Sequence, residues 1–213
     1  MIVERSETSI EKYILIEGEF MNTSGADIKR TVGVAILVAV VVVLQMFGSY
    51  FKIGAFSFSF VLVPIVIGAA VFGQATGAFL GGVFGVVVLI NCVSGADAGG
   101  AMLWAANPPL TAALCLIKGV LAGFAAGAVY SAARKNKYAG VLLAAVACPV
   151  VNTGFFLAAL YALYRDTLTV WAGGSNLFYY LFVGVAGVNF IIELLVNVIL
   201  CPAITRIIEA VDL

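Results

Sequence analysis

Histidine is absent from the 213 residues of this chain, and with it the commonest catalytic base and metal ligand. A histidine-dependent hydrolytic triad and zinc sites of the usual nitrogen type are therefore not expected. Cysteine is scarce as well. Cys92, Cys115, Cys148 and Cys201 stand one per apolar segment or segment end without any CxxC spacing, so they read as small apolar fillers rather than metal ligands. No Walker sequence, kinase signature or dinucleotide fingerprint occurs, which leaves no means of hydrolysing ATP and no expected cofactor. Energy for any transport must come from a partner or an ion gradient. Charge is the last scarcity: Asp, Glu, Lys and Arg make up 10% of the chain and cancel to a formal net charge of zero, and no nucleic-acid partner is expected.

What fills the chain instead is hydrocarbon, with 63% hydrophobic residues and a mean hydropathy of +1.15. A soluble domain lies nearer about half apolar and about a quarter charged. The composition is that of an all-α integral membrane protein. Runs of roughly 17 to 25 apolar residues, the length that crosses about 30 Å of hydrocarbon, give six expected transmembrane helices: Thr31–Phe47, Ser57–Phe72, Ala75–Val93, Pro109–Ala133, Tyr138–Tyr164 and Leu177–Ile204. The second is short. An alternating strand pattern is absent, so a barrel is not expected.

Six spans put both termini on one side. Lys29, Arg30, Arg134, Lys135, Lys137 and Arg206 lie on that side against Lys52 and Arg165 on the other, which makes the termini and the "ARKNK" loop cytoplasmic. The outward loops are then "GSYFKIGAF", "SGADAGGAMLWAANP" and "RDTLTVWAGGSN". Their Gly, Asn and aromatic content suits a lid, and an interfacial aromatic belt accounts for Trp104 and Trp171 as well.

The chain start reads differently from the rest. Residues 1–26 are expected to be a cytoplasmic segment and 27–213 the membrane domain. "MIVERSETSIEKYILIEGEF" carries five acids and lacks the basic and apolar regions of a signal peptide. Codons for Glu17 to Phe20 are compatible with a purine-rich ribosome-binding sequence ahead of Met21, so translation is expected to begin there, with a short amphipathic segment as the rival reading.

Small residues mark the packing faces. Gly77, Gly81 and Gly85 in the third segment, and Gly119, Gly123 and Gly127 in the fourth, recur every four residues and allow close approach of a neighbouring helix. Ala35 and Ala39 make a smaller patch in the first.

In this arrangement the chain resembles the S components of energy-coupling factor transporters. The resemblance rests on AxxxA in the first span, on "FSFVLVPIVIGAAVFGQATGAFLGGVFGVVVLI" with Pro64, Gly73, Gly77 and Gly81, and on "NTGFFLAAL", and it covers about Asp27 to Ile208. It implies a subunit that captures a vitamin or related micronutrient outside, docks on a transmembrane coupling subunit driven by two cytoplasmic ATPases, and topples to release the ligand inside. It also implies that Ala35 and Ala39 contact the coupling subunit. Among such proteins the chain looks most like those that take pantothenate, with riboflavin, folate or another vitamin as alternatives.

Polar groups inside apolar spans are expensive in lipid and should face the interior. They are Asn91, Asn107, Lys118, Asn152, Thr153, and Asn189, Glu193 and Asn197 at i, i+4, i+8. Asn91, Asn107, Asn152 and Asn189 fall in the outer to middle bilayer, with Glu193 and Asn197 deeper. The expected substrate site is Asn91, Asn107, Lys118, Asn152, Thr153 and Asn189, with Trp104 and Trp171 closing above it. The alternative is that the amides bond one another and fix the packing. Lys118, alone in "TAALCLIKGVLAGFAAG", either pairs with Glu193 or faces the cage as counter-ion to a mono-carboxylate. Two rival classes remain. A stand-alone secondary transporter would need a coupling-ion site, and inverted repeats are not evident; a membrane enzyme would need a nucleophile with its base.

Overall fold

The computed structural model describes residues 27–48, 52–53, 56–57 and 60–211. The expected cytoplasmic segment 1–26, with the start at Met21, lies outside them. The chain divides into two compact units, Met1–Ile36 with Leu213 and Leu37–Asp212, and the packing and the cavity below belong to the second.

The described chain is helical almost throughout. Helix α1 is Asp27–Gly48. A two-residue antiparallel hairpin follows, with β1 (Lys52–Ile53) paired to β2 (Phe56–Ser57) in the register Lys52 to Ser57. Then come α2 (Leu62–Phe72), α3 (Gln74–Ser94), α4 (Ala98–Ala106), α5 (Pro108–Ala133), α6 (Lys137–Leu163), α7 (Arg165–Ala172) and α8 (Leu177–Tyr179). A π-helical run covers Tyr180–Gly187, before α9 (Val188–Ile199) and α10 (Cys201–Val211).

Among the described residues, four helices, α1, α3, α5 and α6, are long and apolar enough to cross a membrane, and the number rises to six if two bent pairs each count as one span. The fold class expected from composition is thus observed, with two differences in detail. Helix α2 has 11 residues, about 16 Å of rise, which falls short of the hydrocarbon thickness. The expected last span Leu177–Ile204 is broken near its end, where a 46° bend separates Asn189–Ile199 from Cys201–Ala210, and it is preceded by a 91° bend between Arg165–Ala172 and Leu177–Val185. The second expected outward loop also contains a helix, α4, because Asp97 caps its start by accepting the backbone N–H of Gly100 at 3.3 Å.

Helices α3 and α5 lie against each other through the two glycine combs, antiparallel and with backbone on backbone. A Cβ at Gly85 would stand 2.6 Å from the carbonyl oxygen of Cys115, and one at Gly77 would stand 2.5 Å from that of Gly123. At Gly81 and Gly119 each would strike the other's carbonyl. The contact admits hydrogen only. Helix α2 packs beside this pair, and Leu62, Ile65, Val66 and Ala69 join Leu80, Phe84, Ala122 and Ala126 in the main apolar core. A second cluster gathers Leu103, Leu114, Leu157, Leu160, Leu168 and Leu181.

Replacing Gly81 with Leu should therefore cost at least about 3 kcal/mol, since the colliding neighbour is backbone that cannot change rotamer. Gly154, which has nothing within 4 Å of an added Cβ, is the control; Gly154→Ala should change stability by about 1 kcal/mol or less, in the stabilising direction. Thermal unfolding of both variants in detergent checks the contrast, and equal Tm values would refute the close-packing assignment.

Candidate functional site

Helical periodicity brings polar groups from six segments to one cavity. On α5, Thr111, Leu114, Cys115 and Lys118 recur at i, i+3, i+4 and i+7, and all four line it. Helix α3 contributes Phe84, Val88, Asn91 and Cys92, again one stripe. Asn152, Thr153 and Phe156 enter from α6, and Asn189, Phe190 and Glu193 from α9. Gln45 of α1 and Asp97 and Gly100 at the start of α4 complete the polar wall. The enclosed volume is about 90 Å³, room for roughly six to nine waters when each needs about 10–15 Å³ of such space.

Asn152 is 6% exposed, and its Oδ1 has no hydrogen-bond partner among the described residues. A buried acceptor left this way costs about 1–3 kcal/mol, so the position favours any entering group that can donate to it. Lys118 is half-buried. Its Nζ lies 4.7 Å from the ring centre of Phe156 and 5.9 Å from that of Phe84. The rings hold the ammonium by cation–π attraction without neutralising its charge. Glu193, 9% exposed, is on the same wall, and deeper on its helix Asn197 donates from Nδ2 to the Glu193 carbonyl at 2.8 Å.

Five of the residues expected from sequence therefore meet: Asn91, Lys118, Asn152, Thr153 and Asn189. Asn107 and Trp104 do not line this cavity. The Asn107 side chain caps α5, accepting the Leu110 N–H at 3.2 Å, and its carbonyl accepts from Thr111 Oγ1 at 2.8 Å and from the Tyr164 hydroxyl at 3.2 Å. Tyr164 and Thr111 hydroxyls are themselves 2.7 Å apart, a knot that ties the start of α5 to the end of α6. The sequence "NPP" carries this signal, because asparagine before proline is an N-cap followed by the residue best suited to the first helical turn. Trp104 lies one position beyond cavity-lining Leu103 and packs against the main core; Trp171 packs against the second cluster.

Sequence reasoning passed over Gln45, Asp97 and Thr111, and set Glu193 and the two cysteines apart from the cavity. Gln45 had a signal, as the one polar residue in "VAVVVVLQMF". Thr111 and Cys115 had another, at seven and three residues before Lys118. The two alanines Ala35 and Ala39 are both exposed, one turn apart on α1.

No curated protein matches this chain. The family of ECF transporter substrate-specific components matches it over residues 29–205, well over half its length. A multi-pass helical chain with a polar cavity among its spans and no ATP-binding motif is what a dedicated capture subunit requires, and the chain belongs to the family of ECF transporter substrate-specific components.

Proposed function

We propose that the cavity captures a small vitamin bearing one carboxylate, with pantothenate as the best match, and delivers it inward after the chain docks on a coupling subunit driven by two separate ATPases. The observation that carries this reading is Lys118, a cation on the cavity wall held against the rings of Phe156 and Phe84. A ligand carboxylate is its charge partner in this reading. Asn152 Oδ1 then takes a hydroxyl or amide N–H of the same ligand, and Asn91, Thr153 and Asn189 offer further amide and hydroxyl contacts. Asn107 and Trp104 act at a distance in this reading, as cap and as core support for the wall.

Orientation follows the basic residues, with both termini cytoplasmic and the cavity in the outer half. Docking falls to Ala35 and Ala39, whose exposure leaves a flat, side-chain-poor face on α1. One observation favours a second ligand class. Asp97 and Glu193 also line the cavity, and two carboxylates against one ammonium suit a vitamin that carries a protonated amine.

Calorimetry with pantothenate and with an amine-bearing vitamin separates the two. For the mono-acid, Lys118→Gln should weaken binding by about 1.5–3 kcal/mol, roughly ten- to 150-fold, the worth of a hydrogen bond to a charged group. Asp97→Asn should leave it nearly unchanged. The reverse pattern assigns the amine-bearing ligand. Unaltered affinity for pantothenate in a stable Lys118→Gln protein would remove the counter-ion role.

The two asparagines should separate in the same way. Asn107→Ala removes a cap and should lower stability by about 1 kcal/mol with capture retained, whereas Asn152→Leu should abolish capture without lowering the Tm, since it deletes an unpartnered acceptor. A Tm loss confined to Asn152→Leu would place that residue in the packing instead.

Tryptophan at both Ala35 and Ala39 should block co-purification with the coupling subunit while ligand binding in detergent stays within about twofold, because bulk excludes a close-packed partner helix. Lost binding with docking preserved would overturn the assignment of that face.

A further inference from the structure

The four cysteines are not equivalent. Cys148 is fully buried in the main core, and Cys201 donates its S–H to the Asn197 carbonyl at 3.3 Å. Cys92 on α3 and Cys115 on α5, 23 residues apart in sequence, face each other with their Sγ atoms 3.9 Å apart. Both thiols are free and both line the cavity, which sets them within reach of whatever enters it. The backbones behind them are fixed by the glycine combs, with Gly85 of α3 against the Cys115 carbonyl. A disulfide has its sulfurs about 2.05 Å apart, so the pair at 3.9 Å needs to close by about 2 Å.

Cys92 touches a third element. Its sulfur fills the space above Gly100 of α4, where a Cβ would collide with it. The pair therefore sits at the seam between the α3–α5 pair and the short outward helix.

We propose that Cys92 and Cys115 form a cavity-lining dithiol, a modification site that takes a trivalent aryl arsenical across both sulfurs, the two S–H protons leaving with the arsine-oxide oxygen as water, and is oxidised to an intramolecular disulfide by small disulfides that enter the cavity. In the oxidation one protein sulfur attacks the reagent's S–S bond, forming a mixed disulfide and releasing one reagent thiol. The second protein sulfur then attacks the first, displacing the other half of the reagent as thiol. Two cysteines are oxidised, one small disulfide is reduced to two thiols, and the two S–H protons leave on them. This site is independent of which vitamin the cavity holds.

The test uses the full chain in detergent with no ligand. Folded protein is treated with phenylarsine oxide, and separately with 2-hydroxyethyl disulfide, then alkylated and read by intact mass and peptide mapping. One arsenical per chain is expected, and with 2-hydroxyethyl disulfide the loss of two hydrogens, with the crosslinked peptides containing Cys92 and Cys115. Cys148→Ser/Cys201→Ser should react in the same way, and the wild-type peptide map carries the same information if that variant does not fold. Cys92→Ser and Cys115→Ser should bind the arsenical at least tenfold more weakly, and should stop at a mercaptoethanol adduct or fail to react. Far-ultraviolet circular dichroism confirms that the protein is folded during exposure. Four unmodified thiols in folded protein that all become reactive in dodecyl sulfate would overturn the proposal, as would a crosslink involving Cys148 or Cys201.

Discussion

The approach of α3 to α5 through bare backbone is the constraint on which the rest depends. Where Gly77 meets Gly123 and Gly81 meets Gly119, no side chain separates the helices, and dispersion between closely spaced backbones replaces the hydrophobic drive that lipid does not provide. Toward Cys92 and Cys115 side chains return, and the helices must make room for them. The cavity begins there. A contact so tight at one level and a gap at the next follow from the residues filling successive turns of the same two helices, glycine against glycine and then thiol against thiol.

The polar wall is tolerable for the same reason that it is useful. A lysine, two carboxylates and several amides within apolar helices would be costly against hydrocarbon, and here they turn toward one another around an enclosed space. Elsewhere the chain disposes of its polar side chains by local capping: Asn107, Asn136 and Asn176 each close the first turn of a helix. Asparagine thus has two uses in one fold. Those preceding a helix satisfy backbone amides, and Asn152, in mid-helix, has no such claim on its carbonyl oxygen.

Much of the fold was legible in the residues. The limits of α3, α5 and α6 lie within a residue or two of the apolar runs, since long uniform segments flanked by polar caps leave little choice. The combs announced a close helix pair. Hydropathy failed where it averages over breaks: Ser57–Phe72 and Leu177–Ile204 are apolar enough to count as spans, although the helix of the first is only Leu62–Phe72 and the second bends between Ile199 and Cys201, and such breaks are set by hydrogen bonding that apolarity does not encode. The cavity was half legible. Asn91, Lys118, Asn152, Thr153 and Asn189 stand out because polarity is rare in such segments, and the helical stripe around Lys118 would have added Thr111 and Cys115. Trp104 misled because an aromatic in a loop reads as a lid, whereas α4 turns it to the core. The meeting of Cys92 with Cys115 depends on the register of two antiparallel helices, which no local pattern states.

The π-helical run Tyr180–Gly187 has one more implication. Its hydrogen bonds skip five residues instead of four, so it is wider and shorter per residue than an α-helix of the same sequence. The segment behaves as a coarse screw thread set in front of α9. Winding it back to α geometry would lengthen it and turn α9 about its own axis, carrying Asn189 and Glu193 off the cavity wall together, while the glycine-locked pair opposite stays where it is. The lining of the cavity is therefore rigid on one side and threaded on the other.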